Sequence, residues 1–238
     1  MNVDILAFGA HPDDVELSAG GSLLKQIHLG KTVAIVDLTK GELGSRGSEF
    51  MRLEEAKNAS EILGIMERVN LGFSDGFFEH NQIHLIKIIE QIRYFKPKIV
   101  LANAVEDRHP DHGRASKLVS DACFLAGLIK IETFYLGVKQ ECHRPKVVYH
   151  YIQDRYIKPD FVVDVSPFYQ KKMDAILAYK TQFFNQNIKG PQTPISGEDF
   201  LDFLNGRMAE FGRPIGVSYA EGFTTERLIG INDFSDLI

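Results

Sequence analysis

The chain has 238 residues, 44% of them hydrophobic and 25% charged, an ordinary globular composition at a length that suits one domain. Its net charge of −5, with Lys and Arg scattered, excludes the broad basic face that nucleic acid requires. No run approaches the roughly 20 apolar residues of a membrane span, and Met1 leads directly into a strand-like run without a basic leader, so the expectation is a cytoplasmic protein with neither nucleic-acid nor membrane partners. Cys123 and Cys142 match no disulfide framework or CxxC metal motif and read as free thiols.

Strand and helix patterns alternate along the first half. Val3 to Ala10 is a short β-branched apolar run, and Leu17 to Leu29 has helical spacing closed by Gly30. Thr32 to Leu38 reads as a buried strand. A glycine-rich loop, 39–47, leads to Ser48, which is placed to cap a helix running to Gly64. Glu67 to Leu71 is a third strand, Ile83 to Phe95 a third helix, Lys98 to Asn103 a fourth strand and His112 to Ala126 a fourth helix. Continuous apolar strands between amphipathic helices predict a doubly wound α/β fold: a mostly parallel sheet with helices on both faces. Residues 1–127 form the expected core. Residues 128–238 are expected to complete the sheet and cover the substrate, with strands at Lys146 to Tyr151 and Phe161 to Val165, helices at Pro167 to Phe184 and Glu198 to Phe211, and no assignment for Ile215 to Phe223.

Ligands of open α/β sheets bind outside the carboxyl ends of the strands. Strand one exits into Ala10-His11-Pro12-Asp13-Asp14-Val15-Glu16, where a dinucleotide-binding fold would place glycines, and three carboxylates there would repel a phosphate. Strand four exits into Glu106-Asp107-Arg108-His109-Pro110-Asp111-His112, so the two clusters are expected to meet in one crevice. Imidazole with carboxylate suits a catalytic zinc, which keeps one position open. The three-residue separation of His11 and Asp14 lets both converge from one turn, leaving Asp13 as general base toward the activated water. His109, if kept protonated by Asp111, could stabilise an oxyanion. The remaining histidines, His28, His80, His84, His143 and His150, have no convergent acid in the sequence and read as surface or loop residues. Arg52 is placed either to bind substrate or to pair with Glu49 or Glu55, and Asp75 to accept bonds from sugar hydroxyls.

Ala10-His11-Pro12-Asp13-Asp14 followed by His109-Pro110-Asp111-His112 resembles the paired signature of the PIG-L or LmbE-like deacetylases. The resemblance extends through residues 37–42, 52–56 and Tyr219-Ala220-Glu221-Gly222-Phe223, and is strongest to the branch that deacetylates N-acetylglucosaminyl malate in bacillithiol biosynthesis. It implies a Rossmann-like fold, frequently a homo-hexamer, and one zinc per chain, or ferrous iron, on His11, Asp14 and His112. It further implies Asp13 as base, His109 beside the tetrahedral intermediate with Asp111 orienting and charging it, and Arg52 and Asp75 toward the sugar. Some relatives carry a tyrosine near the carbonyl oxygen, where this chain has Phe200.

Other readings remain open at this stage. A broader N-acetylglucosamine or chitooligosaccharide deacetylase needs the same residues. A phosphoesterase would commonly use two metals and more ligands, and a structural zinc would usually close with a fourth ligand, often cysteine. For an anionic aglycone such as malate, Arg46, Arg52 and Arg108 are the candidate partners.

Overall fold

The computed structural model describes residues 1–183 and 191–234. In the first half, strands β1 (Ile5–Gly9), β2 (Val33–Thr39), β3 (Glu67–Phe73) and β4 (Ile99–Ala102) alternate with helices α1 (Asp14–His28), α2 (Glu49–Leu63), α3 (Gln82–Phe95) and α4 (Pro110–Ala126). There follow a small hairpin of β5 (Phe134–Tyr135) and β6 (Val138–Lys139), then β7 (Val147–Tyr151), β8 (Phe161–Asp164), α5 (Tyr169–Leu177), α6 (Phe200–Gly212) and β9 (Ala220–Thr225). The main sheet has seven strands in the order β3-β2-β1-β4-β7-β9-β8. Strands β1 to β4 and β7 are parallel, while β9 runs antiparallel to both β7 and β8.

Helices cover both faces. Residues of α3 and α4 pack against one face through Ile88, Ile92, Leu118 and Val119, and α1 packs against the other through Val15, Ala19 and Leu23. Burial on both sides explains why β1 and β2 read as unbroken apolar runs: every residue of each is buried. The predicted punctuation holds. Ser48 accepts a hydrogen bond from the Met51 amide at 3.3 Å, and Gly30 and Gly64 adopt φ of 79° and 81° behind α1 and α2.

Some elements differ from expectation. Helices α1 and α4 begin at Asp14 and Pro110, earlier than the apolar periodicity indicates, so the ionisable clusters lie in their first turns. The helix predicted over 167–184 is a 3₁₀ turn at Ser166–Phe168 followed by α5, which stops at Leu177; position 184 lies outside the described residues. Just past that end, Glu55 accepts both the Thr181 amide and its hydroxyl at 2.8 Å, fixing the chain in a non-helical path. The β5–β6 hairpin turns on Leu136 and Gly137, both at positive φ, and Leu-Gly is a weak sequence signal for such a turn.

The motif at 219–223 has a packing explanation. Glu221 on β9 accepts the mid-helix amides of Gly21 and Ser22 at 2.9 and 2.7 Å, while Lys172 on α5 donates to Glu221 at 2.6 Å and to the Leu17 carbonyl at 2.7 Å. A buried ion pair is thus inserted alongside the backbone ladder of α1. Gly21 is needed for this approach, because a Cβ there would lie 2.7 Å from Val165.

At the amino ends of the central strands, Asp4 ties β1 to its neighbours through Thr32 and Lys98, the latter at 2.9 Å, and the Lys98 ammonium beside it lowers its pKa to about 2. A depressed carboxylate pKa stabilises the fold above the unfolded value and loses that contribution as pH falls through 2. After solvent screening about 1 kcal/mol is expected. Urea denaturation of Asp4→Asn and wild type should therefore converge between pH 4 and 2; a constant difference across that window would refute the linkage.

Candidate active site

The strand order reverses between β1 and β4, and the loops leaving these two strands bring both ionisable clusters together. The first loop turns sharply. A Cβ at position 9 would sit 2.9 Å from the His11 carbonyl, so Gly9 is what permits the turn. Asp13 then adopts φ 114°, a conformation that costs a non-glycine residue on the order of 1–3 kcal/mol and is retained where surrounding contacts impose it.

Asp14 is the hub of the cluster. Its Oδ1 lies 3.2 Å from His112 Nε2, and its Oδ2 accepts the His11 amide at 2.9 Å and lies 3.6 Å from His11 Nδ1. The opposite nitrogen of each ring is held by a carboxylate: Asp75 Oδ1 lies 2.9 Å from His11 Nε2, and Asp107 Oδ2 lies 2.5 Å from His112 Nδ1. All five side chains are buried. Burial disfavours charge on both rings, but Asp111, Asp14 and Asp75 raise the His11 pKa well above its ordinary value, and Asp14 with Asp107 raises that of His112 to about 9. Burial also opposes ionisation of Asp14, yet His112 and His11 hold it well below the usual carboxylate range.

Asp13 differs from its neighbour. Burial pushes its pKa up to about 7, against the pull of Arg52, whose Nη1 is 3.3 Å from Asp13 Oδ2. Arg52 is buried and also donates to the Pro12 carbonyl at 3.0 Å and to Gln182; neither Glu49 nor Glu55 is its partner. Asp75 is committed as well, accepting the Leu43 amide at 3.0 Å on the oxygen not facing His11. It therefore anchors both a histidine and the glycine-rich loop, where hydrogen bonding to sugar hydroxyls was expected. Arg108 spends its Nε on Asp154 at 2.8 Å.

Asp111 and His109 are arranged differently from the expected charged pair. The Asp111 carboxylate lies 3.5 Å from His11 Nε2, accepts the Gly76 amide at 2.7 Å and meets Arg114 at 2.5 Å. It is the Asp111 backbone amide that donates to His109 Nδ1, at 3.2 Å. Burial, followed by the charges of His11 and His112, lowers the His109 pKa, with Asp111 only partly opposing. An Nδ1 that accepts this amide carries no proton, which places the proton of a neutral ring on Nε2.

The sequence reading overlooked residues that secure this arrangement. Asn103 Nδ2 donates to Asp14 Oδ2 at 3.0 Å and Gln153 Nε2 to Asp14 Oδ1 at 3.1 Å. Asn103 ends a predicted strand and could have been suspected; Gln153 follows β7 and carried no signal. His150 is buried between Ser116, the Asn103 carbonyl and Glu226 at 2.8–2.9 Å, and His80 pairs with Asp121 at 2.8 Å. Both acids arrive from distant segments; His150 is buried against expectation, while His80 keeps the exposed loop position expected of it. Cys123 and Cys142 are both free.

Among the described residues, donor atoms of His11, His109 and His112 lie within 4.8 Å of one another, as do those of His11, Asp75 and Asp111. The donors suit a divalent metal. With Asp75 and Asp107 anchoring the far nitrogens, His11 Nδ1 and His112 Nε2 both face the Asp14 carboxylate, giving two imidazoles and one carboxylate with outer carboxylate support. The cluster opens into a cavity of about 350 Å³ whose other wall is formed by α6 through Phe200, Phe203, Leu204, Arg207, Met208 and Phe211.

The chain is similar to known deacetylases in sequence and to a solved structure in fold. The PIG-L family, described as GlcNAc-PI de-N-acetylase, matches residues 6–123. A diacetylchitobiose deacetylase of Thermococcus kodakarensis is 30% identical over 228 residues, covering 92% of this chain and 81% of the relative. A probable N-acetyl-alpha-D-glucosaminyl L-malate deacetylase 2 of Bacillus anthracis is 26% identical over 195 residues, covering 75% and 81%. The crystal structure of a conserved protein from Thermus thermophilus superposes with a TM-score of 0.85 at 33% identity, covering 97% of this chain and 98% of that one. The chain belongs to the PIG-L family of deacetylases, enzymes that hydrolyse an amide bond.

Proposed function

We propose that the enzyme removes the N-acetyl group of an N-acetylglucosamine conjugate whose aglycone is malate, with one zinc on His11, Asp14 and His112. The observation that carries the reading is the buried set of two imidazoles and a carboxylate at the mouth of a sugar-sized cavity, with the elevated Asp13 carboxyl beside it. A zinc bound there supplies positive charge that acidifies a water and polarises the acetyl carbonyl. Asp13 accepts the proton of that water as its oxygen attacks the carbonyl carbon, a role suited to a carboxyl poised near neutrality. His109, neutral with its proton on Nε2, donates toward the developing oxyanion. Arg52 holds Asp13, and Asn103 and Gln153 hold Asp14. When the C–N bond breaks, the proton on Asp13 returns to the departing amine, leaving acetate and the free amino sugar.

A second reading is supported by the 30% identity to a diacetylchitobiose deacetylase: a neutral N-acetylglucosamine oligosaccharide in place of the malate conjugate. Acetate release from both substrates, with metal-free protein titrated with zinc or ferrous iron, separates them. Saturation near one metal per chain with preference for the malate conjugate is expected. Preference for the neutral sugar would replace the first reading by the second, and loss of both activities with metal bound would refute both.

The proposal also includes a cytoplasmic homo-oligomer, up to a hexamer, with residues 128–238 completing the single domain as cover and contact surface. Exposed apolar side chains at Ile129, Phe134, Leu136 and Val138 support the contact role. Light scattering that returned a monomer mass would remove this part.

A further inference from the structure

Resting on the deacetylase reading above, we infer that Arg108 and Arg207 form a subsite for a carboxylate on the substrate's aglycone, with Arg207 the main determinant of that specificity. Gln153, whose amide touches Asp14 and lies 3.4 Å from His112 Nε2, is followed directly by Asp154. Asp154 gathers two arginines from separate elements. Arg108 reaches its carboxylate through Nε alone, while Arg207, from α6, donates through Nη2 to its backbone carbonyl. Both line the cavity that opens from the histidine cluster. Only one of these two guanidinium groups, that of Arg108, contacts the Asp154 carboxylate.

Arg207 is unusual among the cations of the cavity. Arg52 is committed to Asp13, and Lys172 to Glu221. Arg207 is half-buried, and among the described residues no carboxylate lies within salt-bridge distance of it. Its neighbours are a carbonyl and the ring of Phe203, 4.7 Å from its guanidinium carbon. The acids whose charges reach it do not contact it: the Asp154 carboxylate pairs with Arg108, Asp107 bonds His112 and the Arg155 amide, and Glu210 is exposed on α6. A partly desolvated cation with no contacting counterion gains from a ligand that supplies the anion. Burial lowers its pKa, and the charges of Asp154, Asp107 and Glu210 oppose this from beyond salt-bridge distance. The planar guanidinium matches a carboxylate in two-point geometry, which selects a small carboxylic acid as the group beyond the sugar.

The alternative is that Arg207 only ties α6 to the segment after β7, which predicts lost stability and equal effects on all substrates. Two measurements decide between them. The first is the ratio of kcat/KM for N-acetylglucosaminyl malate to that for methyl N-acetylglucosaminide, in wild type, Arg207→Gln and Arg108→Gln. The second is competitive inhibition of the neutral reaction by free malate. Arg207→Gln is expected to lower the ratio about tenfold or more, mainly through KM for the malate conjugate, and to weaken malate inhibition by a similar factor. Arg108→Gln should act in the same direction but less. Should Arg207→Gln fold poorly, Arg207→Lys keeps the charge without the fork and should show a smaller loss in both readouts. An unchanged ratio and unchanged malate inhibition would overturn the subsite while leaving the deacetylase reading intact. A zinc-loaded wild type that releases acetate from neither glycoside would overturn that reading instead.

Discussion

Replacing Asp13 by alanine is expected to lower kcat/KM about a thousandfold, within the range for loss of a general base, while zinc stoichiometry stays at one per chain. Among the described residues the Asp13 side chain makes no hydrogen bond to His11, Asp14 or His112, so its removal leaves the candidate ligand set in place. A companion variant isolates chemistry from folding. Because Asp13 sits at φ 114°, Asp13→Gly relieves strain that Asp13→Ala retains, and the glycine variant should be more stable than the alanine variant by about 1 kcal/mol. Both should be equally inactive. Activity within tenfold of wild type in either would remove Asp13 from the proposed mechanism. A large gap in activity that followed the gap in stability would assign the loss to folding.

Lys172→Met is expected to destabilise the fold by about 3–5 kcal/mol, because it leaves the buried Glu221 carboxylate without its cation. The affected region is more than local. Glu221 holds the Gly21 and Ser22 amides, and Lys172 caps the Leu17 carbonyl, so the pair fixes α1, whose first turn carries Asp14. Denaturation midpoints of Lys172→Met and of the double variant Lys172→Met with Glu221→Gln provide the check. The double variant should recover part of the loss, since a neutral amide costs less to bury than an unpaired charge. A single variant within 1 kcal/mol of wild type would show that the pair contributes little beyond packing.

Much of the architecture was legible in the chain itself. Alternation of buried strands with capped helices is a local property, encoded in periodicity and in residues such as Ser48, Gly30 and Gly64. The position of the site was legible for the same reason: clusters of ionisable side chains at the ends of strands one and four stand out against apolar surroundings, and neighbouring parallel strands bring their ends together. The early starts of α1 and α4 were less legible because first-turn residues follow capping preferences rather than apolar spacing.

Fold class, crevice and the residue types available to a metal could all be read from the chain, because strand and helix formation and burial are written in local patterns. The partners came from packing alone: that Asp111 faces His11, that His109 Nδ1 accepts the Asp111 amide, that Arg52 holds Asp13, and that Gln153 and Arg207 line the cavity. Hydrogen bonds and ion pairs depend on distances of a few ångströms between segments far apart in the chain, 139 residues for Gln153 and Asp14 and 200 for Glu221 and Gly21, and no local pattern carries that information.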